Sequence, residues 1–544
     1  MKKISNVSAV PPVAGENLFS ELNINKRQLI AIYLSIAILY IVPNLFSIFS
    51  AMGWDESNYM GAVKMVLDGK LPYRDFFWYH TPGFLYLNSL VAYFFGLELI
   101  PLRLFAFAFG VSGIILLGLI SYKLGGHFGA IIALSLSATS YLNSDYLSAI
   151  YFSSFTNLFL LSALCFHLFL KSNFLKLSLI SAALVICFSI RSTTLISILV
   201  YGIFLLLAHQ NGIKRIVLYA SNIVIFLILI FGYFLFFIPD EFLTGISALR
   251  AKVYPSWGHY FNLPRQIFHF FYIMSDYPVL FVGILSMSVY FGIDRRNMGF
   301  SFMKSDMSDE NLFIGLVSLL LFSLASFEII FVSYPTRHHI LYYFPLMVIL
   351  ISWYYKPYLI KGLNGSASWH RLTIVFIGIS LFVSYFCGPM NLFLAIRTMK
   401  KEYNHSSTKQ MKMIGQEIKK ITSPKEKIFS FIPIFGVYSE RDLLPGLEVG
   451  YSAYSPIWTE AEVKKYHVCN FELIREYFEN KSASVVIITD VEKLMAPFQE
   501  KYKIKNSLTF WKDFYFYLNR NYKILFTRKI DDYFWGTAVI YVPK

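Results

Sequence analysis

Two adjacent carboxylates follow the first long apolar run of the chain. The run extends from Leu29 to Ala51, and Trp54, Asp55 and Glu56 come soon after it. A carboxylate pair at the mouth of a membrane span is costly to hold there, so it marks a functional site by default. A carboxylate in this place can take the proton of an attacking hydroxyl. The alternative is that the pair only caps the helix that begins here.

More residues with functional groups follow in the same loop. The segment reads WDESNYMGAVKMVLDGKLPYRDFFWYHTPG, and Tyr59, Tyr73 and His80 are its candidate substrate contacts. For the two tyrosines, packing in an aromatic belt at the membrane interface is the alternative interpretation. For His80 the sequence favours neither interpretation.

Composition excludes a soluble protein. The chain has 544 residues, of which 56% are hydrophobic, 18% aromatic and only 15% charged. These values, with a mean hydropathy of +0.53, are typical of a polytopic membrane protein. The net charge of +15 comes from short loops and the C-terminal segment and is not part of a nucleic-acid-binding motif. The four cysteines have the spacing of neither a disulfide framework nor a metal site.

About eleven apolar runs are candidates to cross a bilayer, which takes about 20 apolar residues in a helix. They are residues 29–51, 101–121, 128–141, 147–170, 175–192, 193–209, 215–238, 276–292, 311–333, 339–355 and 372–391. Residues 1–28 are polar, contain the basic residues Lys2, Lys3, Lys26 and Arg27 and lack the apolar core of a signal peptide. The positive-inside rule therefore predicts a cytoplasmic N-terminal tail.

A shorter apolar segment, residues 83–96, decides the orientation of everything after it. If this segment does not cross, the basic clusters of the short loops all fall in the cytoplasm; if it crosses, all of them face outward. We therefore predict an interfacial helix over 83–96, and a second one over 56–69 from its helical spacing of apolar residues. External loops over 52–100 and 239–275 follow, and the acidic pair lies outside the cytoplasm.

Residues 392–544 are predicted to form a small extracytoplasmic α/β domain. Hydropathy falls here, and 24 Lys and Arg stand against 17 Asp and Glu. This surplus would favour anionic headgroups or an anionic acceptor, or it is a solvated surface. The predicted elements are Lys427–Ile432, Glu460–Lys465, Phe471–Glu479, Ala483–Thr489 and a hairpin of Tyr522–Thr527 with Trp535–Val542. The sequence has no Gly-rich nucleotide-binding loop.

The acidic pair and the residues after it resemble the GT-C membrane glycosyltransferases, which use polyprenyl-phosphate sugars. The resemblance rests on the Tyr one turn after the pair, Asp68-Gly69, Pro72-Tyr73 and a Pro before a short apolar helix. The nearest likenesses are the dolichyl-phosphate-mannose protein mannosyltransferases and the bacterial lipid A aminoarabinose transferases. The likeness is strongest over residues 50–100 and returns at 334–346, YPTRHHILYYFPL.

The resemblance implies a GT-C fold in which residues 29–391 form the transmembrane catalytic domain. It also implies that Asp55 is the catalytic acidic residue, and Glu56 beside it is the second catalytic candidate. Arg191 and Arg337, the latter next to His338, match the positions of cations for the lipid phosphate. The alternatives are a snorkelling residue for Arg191 and an interfacial cluster around Arg337.

The sequence departs from the family pattern at two positions. Many relatives have Lys-Pro or Pro-Pro where this chain has Thr81-Pro82, and His80 is the candidate replacement for the missing cation. Relatives often have an Asp at the start of the fourth span, where this chain has Ser153. The nearest acidic residue is Asp145, which becomes a further substrate-binding candidate.

The expected function is inverting transfer of a sugar from a polyprenyl-phosphate donor to a lipid, glycan or protein acceptor. The expected location is the extracytoplasmic face of a bacterial inner membrane. Asp55 would take the proton and the arginines would hold the leaving phosphate. No cofactor is expected, although a divalent metal could replace the cations. The alternative is a transporter, flippase or polymerase of lipid-linked glycans, but the internal repeats typical of transporters are absent from the sequence.

The loop charges make a topology prediction. Reporter fusions at Gly362 and Lys544 should lie on opposite sides of the membrane, with Gly362 in the cytoplasm. Reporter activity in intact cells measures this directly. The same side for both fusions would contradict the predicted odd number of spans.

Overall fold

The computed structural model describes residues 25–50, 52–138, 149–208, 212–248, 309–331, 343–363, 407–491, 507–530 and 535–544. Three candidate site residues, Asp145, Arg337 and His338, lie outside the described residues. So do the predicted spans 276–292 and 372–391 and most of the second external loop.

Where the structure describes the part of the chain before residue 364, it consists of α-helices and one short 3-10 helix, joined by loops. Its helices are α1 (Lys26–Ser47), α2 (Trp54–Leu67), α3 (Gly83–Phe95), α4 (Leu99–Ala138), α5 (Phe152–Phe169), α6 (Asn173–Ile190), α7 (Leu195–Ala208), α8 (Gly212–Phe237), α9 (Pro239–Ala248), α10 (Asp309–Phe331) and α11 (Phe344–Leu363). Among the described residues, five helices are long and apolar enough to cross a membrane, namely α1, α4, α5, α6 and α8. Shorter apolar stretches lie in α3, α7, α10 and α11. The protein is thus a multi-pass membrane protein.

Helix α4 contains the predicted span 101–121 and residues 128–138 of the predicted span 128–141. The chain leaves helical geometry between them at Gly126, which has φ 61° and ψ −156°, a conformation that glycine adopts without steric cost. A Cβ on Gly129 would lie 2.4 Å from the Ser121 carbonyl oxygen. The two parts of α4 therefore pack closely across the break, and only glycine fits at this contact.

The two helices predicted for the first external loop differ in their surroundings. Helix α3 is amphipathic: Phe84 and Leu85 are buried, whereas Tyr93, Phe94 and Phe95 are exposed. An exposed apolar face of this kind suits a helix that lies in the membrane interface. Helix α2 has no such face, because nine of its 14 residues are buried. It is enclosed by protein, whereas a helix in the membrane interface was expected over 56–69.

The C-terminal part is a mixed α/β domain, as predicted. It contains α12 (Ser407–Ile421), β1 (Lys427–Phe429), α13 (Ile434–Ser439), β2 (Asp442–Leu443), α14 (Glu460–Tyr466), α15 (Phe471–Glu479), β3 (Val485–Thr489), α16 (Ser507–Asn521), β4 (Tyr522–Lys529) and β5 (Thr537–Pro543). The strands form one sheet in the order β2-β1-β3-β5-β4. Strands β1, β2 and β3 are parallel, and β4 and β5 form the predicted antiparallel hairpin. Every residue of β3 is buried, as expected for a strand covered on both faces.

The C-terminal domain is seated on α2. Lys64 on α2 donates to Asp442 at 2.8 Å, and the side chain of Asn58 donates to Ser452 at 3.2 Å. The hydroxyl of Ser57 accepts the backbone N–H of Ile434 at 3.1 Å. Helix α2 therefore joins the membrane helices to the C-terminal domain.

Gly61 lies at a tightly packed point of this interface and gives a test of it. A Cβ on Gly61 would lie 2.4 Å from Pro433 Cβ and 2.7 Å from the Glu448 carbonyl oxygen. Gly61→Ala should therefore push the C-terminal domain off α2, at a cost of about 1–3 kcal/mol for overpacking. Thermal unfolding and limited proteolysis of the purified protein measure this. Gly315→Ala, where a Cβ would meet nothing within 4 Å, is the control, and equal behaviour of the two variants would contradict the packing argument.

Candidate active site

The first turn of α2 presents the acidic pair. Gly53 is the N-cap in extended geometry, and Asp55 and Glu56 are the acidic residues of the first turn. Glu56 Oε2 accepts the backbone N–H of Gly53 at 2.8 Å. Glu56 therefore caps this helix, which was the alternative interpretation of the acidic pair, and a negative charge is also favourable at a helix N-terminus. Asp55 is half-buried, whereas Glu56 is 1% exposed.

Arg103 on α4 holds Glu56. Its Nε donates to Glu56 Oε1 at 2.8 Å, and its Nη2 donates to Glu56 Oε2. The guanidinium also donates to the carbonyl oxygens of Ile48 at 2.8 Å and Ser50 at 2.7 Å. The backbone N–H of Ile150 reaches Glu56 Oε1 at 3.0 Å. This buried ion pair connects the end of α1, the start of α2, α4 and the residues before α5.

The sequence analysis did not single out Arg103, although a signal for it existed. It is an isolated charged residue at the start of the predicted span 101–121, and an ionisable residue in such a segment is rare and usually has a partner. Its side chain is 1% exposed. Pairing Arg103 with Glu56 rather than with Asp55 would have needed the three-dimensional fold.

The two carboxyl groups differ in their acidity. Burial raises the pKa of Asp55 to about 6, the neighbouring charge of Glu56 adds to this rise, and the positive charge of Arg191 opposes it. Burial alone would also raise the pKa of Glu56, but Arg103 and the hydrogen bonds from Ile150 and Gly53 hold it below its ordinary value. Glu56 is therefore a fixed anion, and Asp55 can exchange a proton near neutral pH.

Arg191 lies at the end of α6, where the chain turns from helix to extended geometry. Its side chain is 8% exposed, its Nε donates to Thr193 Oγ1 at 3.0 Å, and its guanidinium carbon lies 6.0 Å from the centre of the Phe152 ring. The break between α6 and α7 places this cation at a helix end and not in the middle of a span, in agreement with the predicted division at residue 192.

A group of aromatic rings connects Arg191 with the loop between α2 and α3. Phe152 contacts the His80 ring at 4.4 Å and the Tyr59 ring at 5.3 Å between ring centres. Tyr59 and His80 are also edge to face at 6.3 Å. The hydroxyl of Tyr73 donates to the carbonyl oxygen of His80, and its ring packs against Phe242 in α9.

The structure thus brings five of the expected site residues to one place, and a sixth just behind it. Asp55 and Glu56 share a helical turn, and Arg191 acts on Asp55 electrostatically. Phe152 links Arg191 to the rings of Tyr59 and His80, whereas Tyr73 is 2% exposed and supports the His80 segment. Tyr59 is 4% exposed, so aromatic packing is a large part of its role. Within the described residues, no group of three or more His, Cys, Asp or Glu side chains could hold a metal ion.

The architecture has clear counterparts among solved structures, whereas no protein-family model and no curated protein sequence matches the chain. The structure of ArnT from Cupriavidus metallidurans bound to undecaprenyl phosphate superposes with a TM-score of 0.57 at 12% identity, over 94% of this chain and 97% of that one. The fold is that of the GT-C membrane glycosyltransferases. The Archaeoglobus fulgidus oligosaccharyltransferase, in a complex with zinc and sulfate, has a TM-score of 0.51 at 12% identity, over 94% of this chain and 72% of its own.

The GT-C likeness extends over nearly the whole chain, so it includes the C-terminal domain as well as the membrane helices. The fold expected from residues 50–100 is thereby confirmed. At 12% identity the match concerns the fold alone, and the roles of individual residues rest on the geometry described above.

Breaking the Glu56–Arg103 pair should be strongly destabilising. Glu56→Gln or Arg103→Met leaves one buried charge without its partner, which costs about 3–5 kcal/mol. The double variant Glu56→Gln/Arg103→Met removes both charges and should recover part of this loss. Thermal unfolding of the four proteins gives the coupling energy. Additive single effects would mean that the two side chains do not depend on each other.

Proposed function

We propose that the protein transfers a sugar from a polyprenyl-phosphate-linked donor to an acceptor hydroxyl on the extracytoplasmic face of the membrane. The observation that carries this proposal is the state of Asp55: a half-buried carboxyl with a pKa of about 6, next to a fixed anion and near a buried arginine. Such a carboxylate is a general base suited to neutral pH. The GT-C fold supports the reaction class.

In the proposed reaction the acceptor hydroxyl oxygen attacks the anomeric carbon of the donor sugar. The bond from this carbon to the phosphate oxygen breaks, and the phosphate leaves with the electron pair. Asp55 takes the proton of the hydroxyl, and Arg191 stabilises the anionic leaving group. Attack from the side opposite the phosphate inverts the anomeric centre.

The two carboxylates receive different roles. Asp55 is the proposed catalytic base, whereas Glu56 is a positioning residue, because both its oxygens already accept hydrogen bonds from Arg103 and from backbone N–H groups. This revises the expectation that Glu56 shares in catalysis. His80 and Tyr59 are proposed substrate contacts from the group of aromatic rings.

The remaining assignments rest on the sequence. Arg337 and His338 are proposed to share the donor phosphate with Arg191, and Asp145 is a proposed further substrate contact. Undecaprenyl phosphate is bound in the ArnT structure, and dolichol-phosphate in a second oligosaccharyltransferase structure (TM-score 0.50, 13% identity, 96% of this chain). Both ligands favour a lipid-linked donor over a nucleotide sugar here.

A transporter or flippase of lipid-linked glycans is the second candidate function. It would need a path through the helices for the substrate headgroup, and it would need no base. A raised pKa on the half-buried carboxyl of Asp55 favours a role in proton transfer.

The central test is transfer by the purified protein, given lipid-linked and nucleotide-linked forms of the same sugar. We expect transfer from the lipid-linked form, and Asp55→Asn should reduce it by about 10² to 10⁴. Asp68→Asn is the matched control, because Asp68 ends the same helix and pairs there with Lys64 at the surface. Transfer from the nucleotide form alone would contradict the proposed donor, and near-full turnover of Asp55→Asn would remove it from the role of base.

The rate should also depend on pH through Asp55. The base must be ionised, so kcat/KM should fall about tenfold per pH unit below a pKa of about 6. Arg191→Gln removes a positive charge that lowers the pKa of Asp55, so it should move this acidic limb to higher pH as well as weaken donor binding. Arg74→Gln, at an exposed arginine paired with Asp75, should leave the limb in place. An unshifted limb in Arg191→Gln would contradict the electrostatic contact.

A further inference from the structure

Three aromatic rings line the seam between α2 and the C-terminal domain, directly beside Asp55. Trp54, the residue before Asp55, stacks on Trp535 with a centre distance of 6.1 Å and an angle of 17°. It also meets Tyr451 edge to face at 6.4 Å. One ring comes from the catalytic helix and two from the C-terminal domain.

The rings differ in exposure. Trp535 is fully buried, and its Nε1 donates to the Met52 carbonyl oxygen at 3.1 Å. Trp54 and Tyr451 are half-buried and reach the surface of the seam. The buried Trp535 thus supports Trp54 from the inside. Trp54 and Tyr451 form a partly exposed surface, which we name the Trp54–Tyr451 platform.

The chemistry of the platform suits an uncharged, hydroxyl-rich ligand. Beside the rings lies the half-buried Ser452, whose hydroxyl accepts the amide N–H of the buried Asn58 at 3.2 Å. Neither the rings nor this hydroxyl carries a formal charge. Aromatic faces pack against the C–H side of a sugar ring, and a hydroxyl such as that of Ser452 can hydrogen-bond to the sugar's hydroxyls. A phosphate headgroup or an acidic peptide would require cations here.

The position of the platform indicates which sugar it serves. Arg191 and Phe152 come from membrane helices, where the lipid phosphate of a donor must lie. The Trp54–Tyr451 platform comes from α2 and the domain seated on it. In a displacement with inversion the acceptor approaches from the side opposite the leaving phosphate, so the wall away from the membrane helices is the acceptor side.

We propose that the Trp54–Tyr451 platform binds a pyranose ring of a glycan acceptor and orients its hydroxyl toward Asp55. This inference rests on the proposed function for the role of acceptor, but binding of the glycan itself does not require turnover. A failed transfer assay and a failed binding assay are therefore separate results.

The test is binding of maltotriose, N-acetylchitotriose and mannotriose to the purified full-length protein, measured by saturation-transfer NMR without donor. We expect at least one trisaccharide to bind, Tyr451→Ala to weaken it by about tenfold and Tyr451→Phe to retain it, because the ring and not the hydroxyl makes the stacking contact. Tyr515→Ala is the matched control, since Tyr515 is another half-buried tyrosine of the same domain, packed on Trp511 and Phe514.

A second variant, Trp54→Phe, keeps the proposal testable if Tyr451→Ala does not fold. Trp54→Phe keeps an aromatic face, so it should retain binding while losing the change in tryptophan emission that the glycan causes in the unsubstituted protein. Binding of none of the three trisaccharides, or equal binding by Tyr451→Ala and the unsubstituted protein, would overturn the proposal. If transfer is measurable, Tyr451→Ala should raise KM for a glycan acceptor more than it lowers kcat.

Discussion

The buried ion pair between Glu56 and Arg103 is the interaction on which the rest of the site depends. Both charges are 1% exposed, and removing two charges from water costs several kcal/mol for each ion unless their hydrogen bonds are satisfied. Here they are satisfied: Glu56 accepts four hydrogen bonds, and Arg103 also donates to two carbonyl oxygens at the end of α1. The pair therefore fixes where α2 begins relative to the membrane helices, and with it the position of Asp55.

The same pair shifts the pKa values of the two adjacent carboxyl groups in opposite directions. Glu56 stays ionised because Arg103 compensates for its burial, and its negative charge then contributes to the raised pKa of Asp55. Pairs of titratable groups whose surroundings push their pKa values apart are the usual sign of divided roles in catalysis. Arg191 limits the rise, so the Asp55 carboxyl remains an anion at neutral pH. One carboxylate thus supplies structure and charge, and the other is left to exchange a proton.

The sequence predicted the fold well where hydrophobic patterns are local. The α/β domain, the β4–β5 hairpin and the helices over 83–96 and 173–237 agree with hydropathy and periodicity because these signals belong to single elements. Asp55 was a candidate because of its residue type after the first apolar run, whereas Arg191 and the role of His80 came from the resemblance to the GT-C family. Contacts between distant segments could not be predicted in this way: Arg103 was missed, and α2 was expected at the lipid interface although the C-terminal domain covers it. Nothing in the sequence singles out Trp54, Tyr451 and Trp535, because only the fold brings these three distant residues together.

The C-terminal domain is part of the site for an electrostatic reason as well as a structural one. Burial is the largest cause of the raised pKa of Asp55, and α2 is buried because the membrane helices cover one side of it and the C-terminal domain the other. Ser57, Asn58 and Lys64, all within three turns of Asp55, bond to that domain. If the domain were lifted away, water would reach the first turn of α2 and the pKa of Asp55 would fall toward that of an ordinary aspartate. Asp55 would then be a weaker base, which gives a physical reason for joining the C-terminal domain to the helices.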